Sequence, residues 1–421
     1  MRKHLRRVGH GDVSAVRATL VAIALGAVVA GCAPAAPSVP TSPLTSAPSP
    51  AVAPTTQAAP SPSATSSPSA TAASASAALD GVLDRMQAAL GAGISVAVIS
   101  STGTWTGAAG VRDPATGAAV TPATVFAIGS ITKTATSALV LRLAEQGRVD
   151  LDAPISRYLP GDLGVDLNGA TVRQVLGDRS GIGEHTLDPL GNAVMRDPLR
   201  RWEPREVLAY AEGPRSAAGS EFRYTNTNYV LLGLLVEQVT GRPFGDVLRQ
   251  EILDPLRLPA FVYQPDEAPR GELAVGLTYP SYPDMTGALR PISGGGLVPA
   301  LAWATAAGSA GGIGADAVSV AQWGRALFDG QVLSAASLAA MLDFDHPDGV
   351  PYGLGVMQVE PEKGQKVVGH NGGIPGFSSA LLHDRDRDVT VAVLVARDLA
   401  QGQDPIVLAE MFLQAASAPR G

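Results

Sequence analysis

The chain has 421 residues, with 31 Lys+Arg against 38 Asp+Glu and a formal net charge of −7. Hydrophobic residues make up 46% and charged residues 16%, values that suit a globular core and exclude a fully disordered chain. The acidic balance argues against a nucleic-acid-binding protein, and the single cysteine, Cys32, excludes an intrachain disulfide and a multi-cysteine metal site.

The first residues have the pattern of a secretory signal peptide, which we expect to cover residues 1–31. Basic residues dominate the first 17 positions, and a short apolar stretch follows from Ala18 to Ala30. That stretch is shorter than the roughly 20 residues that span a bilayer. Val29-Ala-Gly-Cys32 resembles a bacterial lipobox and predicts lipidation of Cys32, with a chance free thiol as the alternative. The Arg6-Arg7 pair leaves open whether export is Sec-dependent or twin-arginine-dependent.

Residues 32–78 are almost entirely Ala, Pro, Ser and Thr. Such a segment buries too little apolar surface to offset its ordering entropy, so we interpret it as a disordered tether. A tether of this length reaches roughly 40 Å as a flexible coil and about 140 Å as extended polyproline II. A glycosylated stalk is the alternative that composition leaves open.

Residues 79–421 are predicted to form one folded domain. Apolar spacing predicts a helix from Leu79 to Leu90, a strand over Ile94–Ile99 and a hairpin turn at 101–103. A helix over Ile131–Gln146 follows, and further helices are predicted over four ranges: 204–212, 227–240, 316–328 and 334–342. Asp316 and Ser334 are the expected N-caps of the last two.

Strands return near the C-terminus, over 352–359, 366–370, 377–383 and 389–396, before a final helix at 404–416. Strands at both ends and helices between them predict an α/β fold of the α+β type. An antiparallel sheet would be built from both chain ends and flanked by helices. A mainly helical subdomain, about 135–325, would be inserted into it, and a groove at their junction is a common place for a site.

Ser130 and Lys133 form the first candidate motif, Ser-x-x-Lys, at the start of a predicted helix. A separation of three puts both side chains on one helix face. A serine hydroxyl needs a base to become a nucleophile, and a buried lysine with a lowered pKa is suited to that role. A capping serine beside a surface lysine is the alternative for an isolated motif.

Two further segments carry candidate polar groups. Tyr224-Thr-Asn226 lies just before a predicted helix, where Asn226 would also serve as a cap, and a tyrosine can relay a proton. The segment His370-Asn371-Gly372-Gly373 follows a predicted strand, and its glycines would let a substrate backbone lie close.

In this order, Ser-x-x-Lys, Tyr-x-Asn and His-x-Gly resemble the penicillin-recognising serine hydrolases. The nearest branch looks like the class C β-lactamases, the serine D-Ala-D-Ala carboxypeptidases and the related esterases. The resemblance runs from about 80 to 415 and implies a β-lactamase/transpeptidase-like fold. Phe126–Lys133, Asp150–Pro154, Arg179–Ile182, Ser309–Gly312 and Tyr352–Gly355 support it.

The resemblance implies a role for each candidate residue. Ser130 would be the acylated nucleophile, and Lys133 and Tyr224 would share the acid and base work. His370 would lend electrostatic help where β-lactamases have a lysine. The substrate would lie along Asn226 and the Asn371, Gly372 and Gly373 segment, with the backbone N–H groups of Ser130 and Gly373 as the oxyanion hole.

Several departures from the family pattern narrow the substrate. His370 in place of lysine argues against an efficient class C β-lactamase, and Asn371 stands where carboxypeptidases have threonine. The preceding strand, Val356-Met-Gln-Val359, lacks the arginine that binds a substrate carboxylate. An ester or amide without that charge is therefore favoured. Asp178 stands where many relatives have histidine.

The leading hypothesis is an extracytoplasmic, lipid-anchored serine hydrolase that acts through an acyl-enzyme, first on D-alanyl peptides of peptidoglycan. An esterase with the same site and a catalytically silent cell-wall-binding lipoprotein are the alternatives. We expect no cofactor, no metal and no nucleic acid. A polar loop is favoured over a metal site for Glu184, His185 and Asp188.

Overall fold

The computed structural model of the chain describes residues 70–185, 188–280, 287–400 and 403–417. The predicted signal peptide, Cys32 and residues 32–69 of the predicted tether lie outside these ranges. The helices are α1 (Ala70–Leu90), α2 (Thr132–Glu145), α3 (Val172–Leu176), α4 (Asp188–Arg196), α5 (Pro204–Leu208), α6 (Asn226–Thr240), α7 (Phe244–Leu248), α8 (Leu301–Gly311), α9 (Ala317–Phe328), α10 (Ala335–Met341) and α11 (Pro405–Ser417).

Short 3-10 helices lie at Gly129–Ile131 and Ile155–Tyr158, and a π-helical turn at Arg249–Leu253. The strands are β1 (Ile94–Ser100), β2 (Gly103–Ala109), β3 (Val111–Asp113), β4 (Ala118–Ala119), β5 (Phe126–Ala127), β6 (Val262–Tyr263), β7 (Gly276–Thr278), β8 (Arg290–Ile292), β9 (Ile313–Ala315), β10 (Met357–Val359), β11 (Val367–Ile374), β12 (Phe377–Asp384) and β13 (Val389–Val395). In the described part of the chain, no helix is long and apolar enough to cross a membrane.

The main sheet has six antiparallel strands in the order β10-β11-β12-β13-β1-β2. Its centre joins the two ends of the domain, because β1 pairs with β13 with Ile94 opposite Val395. This arrangement confirms the expected fold class, a sheet assembled from both chain ends with a helical region inserted.

The sheet is covered on both faces, so β13 is buried along its whole length and shows no alternation of apolar and polar residues. One face packs against α1 and α11 through an apolar cluster that includes Leu79, Met86 and Phe412. The other face packs against α9 and the inserted helices through a larger cluster that includes Ile131. The nucleophile candidate therefore lies on the second side of the sheet.

Several elements differ from the sequence expectations. Helices α3, α4 and α7 were not predicted, and the helix expected over 204–212 ends at Leu208. Helix α1 begins at Ala70, nine residues inside the segment that we expected to be a tether, because the alanine-rich stretch 70–78 favours helix. Of the strand expected over 352–359, only Met357–Val359 forms, since Gly355 turns the chain with a φ of 77°. Helix α8 was not predicted, and Gly308 interrupts its helical geometry with a φ of 45°.

Candidate active site

Ser130 lies in the 3-10 turn that leads into α2 and is 6% exposed. The turn is held by the hydrogen bond that Ile131 N donates to Ile128 O, at 3.3 Å. Threonines of α2 fix the helix to its surroundings: Thr136 Oγ1 donates to Ser309 O, and Trp323 Nε1 donates to Thr134 Oγ1. The predicted position of the serine at a helix start is therefore confirmed.

Lys133 is fully buried one turn after Ser130. Its Nζ donates to Ser130 Oγ at 3.0 Å, to Asn226 Oδ1 at 2.7 Å and to Ala310 O at 2.8 Å. Burial lowers the pKa of Lys133 to about 7, although the charges of Asp178 and Glu184 act in the opposite direction. The alternative of a surface lysine is excluded.

Tyr224 and Asn226 reach the serine and the lysine from the segment that opens α6. Tyr224 Oη donates to Ser130 Oγ at 2.7 Å. Burial raises the pKa of Tyr224 well above its ordinary value, and the charge of Asp178 adds to the effect. The phenol is therefore neutral at physiological pH and is a donor toward the serine.

The His370–Gly373 segment runs along β11, beside the turn that carries Ser130. A side chain on Gly129 would bring its Cβ to 2.8 Å from Gly373 N, so the two backbones lie in close contact. A Cβ on Gly372 would lie 2.0 Å from Ile128 O and 2.4 Å from Ser379 Oγ. The lack of a side chain at Gly372 thus lets the strand lie against the protein's own backbone, whereas we expected it to let a substrate backbone lie close. Asn371 is half-buried, and its carbonyl accepts from His370 Nδ1.

His370 is fully buried, with its ring centroid 6.3 Å from that of Tyr224. Its Nε2 lies 3.1 Å from Tyr352 Oη. Burial lowers the pKa of His370 to about 3, so the ring is neutral at physiological pH. The electrostatic help expected from a histidine in the place of a lysine does not fit a neutral ring, which has only hydrogen bonds to offer.

Sequence reasoning missed several groups at the site. Ala310 O belongs to the unpredicted helix α8, and Tyr352 forms an isolated antiparallel bridge with Met357 instead of the expected continuous strand. Asp178 and Glu184 are buried near Lys133. In the sequence, Asp178 stood out only as an aspartate where relatives have histidine, and Glu184 only as part of an expected polar loop.

A metal site does not form from the side chains that the structure describes, since no group of three or more His, Cys, Asp or Glu gathers there. Glu184 and His185 face Asn226 and Thr227 of α6. The side chain of Asp188 lies outside the described set.

A buried Ser-x-x-Lys pair with a tyrosine on the serine, set beside an antiparallel sheet, defines a serine hydrolase. The sequence model of the beta-lactamase family matches residues 82–415. The chain therefore belongs to this family, the penicillin-recognising serine hydrolases.

Comparison with solved structures and curated relatives agrees with the family. A D-stereospecific amidohydrolase from Streptomyces sp. is 30% identical with a TM-score of 0.67, over 83% of this chain and 99% of that one. The D-amino acid amidase from Ochrobactrum anthropi SV3 shares the fold, with a TM-score of 0.69 at 24% identity over 82% of this chain and 99% of that one.

Penicillin-binding protein 4 from Amycolatopsis lactamdurans is 35% identical over 173 residues, 40% of this chain and 44% of that protein. The chain thus spans less than half of the length of this curated relative. The match supports family membership over the aligned part.

Proposed function

We propose that the protein hydrolyses amide bonds next to D-configured residues through an acyl-enzyme on Ser130. The observation that carries this proposal is the double contact of Ser130 Oγ, 3.0 Å from Lys133 Nζ and 2.7 Å from Tyr224 Oη. A serine in contact with both a base and an acid is equipped for attack on a carbonyl and for release of an amine.

Lys133 is the better base of the two. Its pKa of about 7 makes a neutral amine available at physiological pH, whereas the raised pKa of Tyr224 disfavours a phenolate. The partners of Lys133 other than the serine are both carbonyl oxygens, which only accept. A neutral amine donates its two hydrogens to them and directs its lone pair at the Ser130 hydroxyl.

In acylation, Ser130 Oγ attacks the substrate carbonyl carbon while its proton passes to Lys133 Nζ. The carbon–nitrogen bond then breaks as Tyr224 protonates the leaving nitrogen, and the lysine returns a proton to the tyrosine. Water attacks the ester in the second half-reaction, which releases the acid and restores the serine. Each half-reaction leaves the proton count of the site unchanged.

Two backbone N–H groups, of Ser130 and Gly373, are assigned to the oxyanion hole. The close contact of the Gly129 and Gly373 backbones supports this assignment. One such donor contributes about 3–4 kcal/mol to transition-state stabilisation in other enzymes. Asn226, whose Oδ1 accepts from Lys133, is assigned to orient the substrate amide.

Two observations support an amide of a D-amino acid as the substrate. The structure that matches at 30% identity over nearly its whole chain is a D-stereospecific amidohydrolase. The edge strand Met357–Val359 carries no cation for a terminal carboxylate, and the neighbouring His370 is neutral. We therefore favour D-amino-acid amides and blocked D-peptides over D-Ala-D-Ala with a free carboxylate. Small esters are the second candidate, favoured by the same lack of a cation.

We also propose that the domain acts outside the cytoplasm, anchored to the cell membrane by a lipid on Cys32. The support is the N-terminal sequence, with its basic head, short apolar stretch and lipobox. The tether would let the domain reach peptidoglycan peptides. Incorporation of labelled palmitate into the protein, and its loss in Cys32→Ala, tests this location.

The substrate assignment is tested with matched compounds. N-acetyl-D-Ala-D-Ala is compared with its C-terminal amide, with the L,L isomer of that amide, and with p-nitrophenyl butyrate. We expect the D,D amide to have the highest kcat/KM among the three peptides. Faster turnover of the free acid would indicate a carboxypeptidase, and turnover of the butyrate ester alone would indicate an esterase. No turnover of any compound would leave the silent binding protein.

A further inference from the structure

The loop Asp178–His185 contacts the segment that carries Tyr224 and Asn226 at almost every residue from Arg223 to Asn228. On the far side, Thr225 Oγ1 donates to Gly183 O at 3.4 Å, and Asn226 N donates to Glu184 Oε2 at 2.8 Å. These bonds connect the loop to the backbone of the segment that carries Tyr224 and Asn226.

Asp178 supplies the contacts nearest to Tyr224. Its carbonyl accepts from Arg223 N at 2.7 Å, and its Oδ1 accepts from Thr225 N at 3.3 Å and Asn228 Nδ2 at 2.7 Å. The residues immediately before and after Tyr224 are therefore both hydrogen-bonded to Asp178. This pattern fixes the backbone from which the phenol reaches Ser130.

The carboxyl group of Asp178 is costly for the fold. It is fully buried, its backbone has a φ of 53°, and Oδ2 has no hydrogen-bond partner among the described residues. An asparagine would make the same two hydrogen bonds with its Oδ1 and would carry no charge. The contribution of Asp178 to the site is therefore carried by its two acceptors, the main-chain carbonyl and Oδ1.

We propose that Asp178 is a positioning residue: its main-chain carbonyl and its side-chain Oδ1 hold the backbone on the two sides of Tyr224. The proposal rests on the proposed acyl-enzyme function and deepens it. Asp178 has no hydrogen bond to Ser130 or Lys133 among the described contacts, and it acts through the segment that carries the tyrosine.

Burial raises the pKa of Asp178 to about 8, so its carboxyl group is largely protonated at pH 7, where Lys133, with a pKa of about 7, takes up its proton. Asp178 therefore acts on the site through its hydrogen bonds. The titratable groups whose charges interact with Asp178 are Lys133, Glu184, Tyr224, Tyr229 and Tyr352.

The test uses two variants with the full chain. Asp178→Asn keeps the acceptor and removes the charge; Asp178→Gly removes both and suits the positive φ. Glu237→Gln is the matched control, since Glu237 also accepts a backbone hydrogen bond, from Phe244 N, at a half-buried place on α6. The readouts are thermal melting and separate kcat and KM values on the D,D amide and on p-nitrophenyl butyrate.

We expect Asp178→Asn, which keeps the Oδ1 acceptor, to keep kcat on both substrates within about threefold of the wild-type value. Asp178→Gly loses on the order of tenfold or more in kcat, because a hydrogen bond to a buried acceptor is lost. Glu237→Gln leaves kcat and KM at their wild-type values.

Wild-type kcat in folded Asp178→Gly overturns the proposal while wild-type turnover sustains the proposed function. A loss of kcat in Asp178→Asn or Glu237→Gln as large as in Asp178→Gly overturns it as well. Wild-type protein that turns over neither substrate overturns both the function and this inference.

Discussion

Burial lowers the pKa of two basic side chains of this site, Lys133 and His370, with different consequences for catalysis. It brings the pKa of Lys133 to about 7, where a lysine exchanges its proton at physiological pH. It brings the pKa of His370 to about 3, where the ring stays neutral and has no charge to give. The proposed acyl-enzyme chemistry therefore depends on the lysine, and the histidine is hydrogen-bonded to Tyr352.

The pH profile should report this difference. We expect kcat/KM to fall below about pH 7, as Lys133 takes up a proton and can no longer accept one from Ser130. His370→Gln should leave the midpoint of that limb in place, because the ring does not titrate there. A midpoint that moves by a unit in His370→Gln would assign the limb to the histidine instead.

The side chains of the site were predictable from sequence to the extent that they sit in short motifs. Ser130, Lys133, Tyr224 and Asn226 meet as expected, since three-residue spacing on a helix and a helix-opening segment are local properties. The protonation state of His370 was not predictable, because it follows from burial by distant residues. The part played by Asp178 was hidden for the same reason.

At the scale of elements, the site depends on how closely β11 approaches the turn at Gly129–Ile131. Gly372 and Gly129 have no side chains between the two backbones, and Ser379 Oγ of β12 donates to Ile128 O at 2.9 Å. This contact sets the separation between the nucleophile and the Gly373 N–H.

Gly372→Ala should separate the two elements. Its Cβ would lie 2.0 Å from Ile128 O, so the strand or the turn must move. We expect a loss of roughly 1–3 kcal/mol in the free energy of unfolding. We also expect kcat to fall at temperatures at which the variant is still folded.

Gly213→Ala is the control, since nothing lies within 4 Å of a Cβ there. Melting curves and kcat are measured for both variants, and we expect both quantities to change only in Gly372→Ala. Wild-type kcat in Gly372→Ala would show that this approach of backbones does not set the oxyanion site.

Elements with a periodic pattern were predicted well, and buried elements without one were not. Asp316 and Ser334 cap α9 and α10 as expected. Helix α8 is largely buried and alanine-rich, so it shows no polar face and no apolar stripe. The hydrogen bond that Lys133 Nζ donates to the Ala310 carbonyl of this helix therefore could not be predicted from the sequence.

For the whole molecule, the sheet divides the interior into two apolar layers. Helices α1 and α11, from the two ends of the domain, close one layer, and the ring of Phe412 lies 5.8 Å from that of Trp105. The active-site groups belong to the other layer. Stability and catalysis can therefore be separated by mutation.

Phe412→Ala should lower the free energy of unfolding by about 3–5 kcal/mol, as expected for a fully buried phenylalanine. The kcat of the folded protein should be unchanged, because the cavity lies across the sheet from Ser130. Val407→Ala on the same helix, where the valine is 51% exposed, should change neither. Urea unfolding and turnover below the transition measure both effects; a lost kcat in folded Phe412→Ala would contradict the separation.

The central claim is that Lys133 activates Ser130 to form an acyl-enzyme. The most direct measurement is the intact mass of the protein after incubation with benzylpenicillin, with hydrolysed drug assayed in the same tube, for wild type and Ser130→Ala. We predict a penicilloyl adduct on Ser130 or turnover of the drug in wild type, and neither in a folded Ser130→Ala variant. An adduct or turnover that persists in folded Ser130→Ala would contradict the account, and so would a wild-type protein that neither reacts with the drug nor hydrolyses the D,D amide or p-nitrophenyl butyrate.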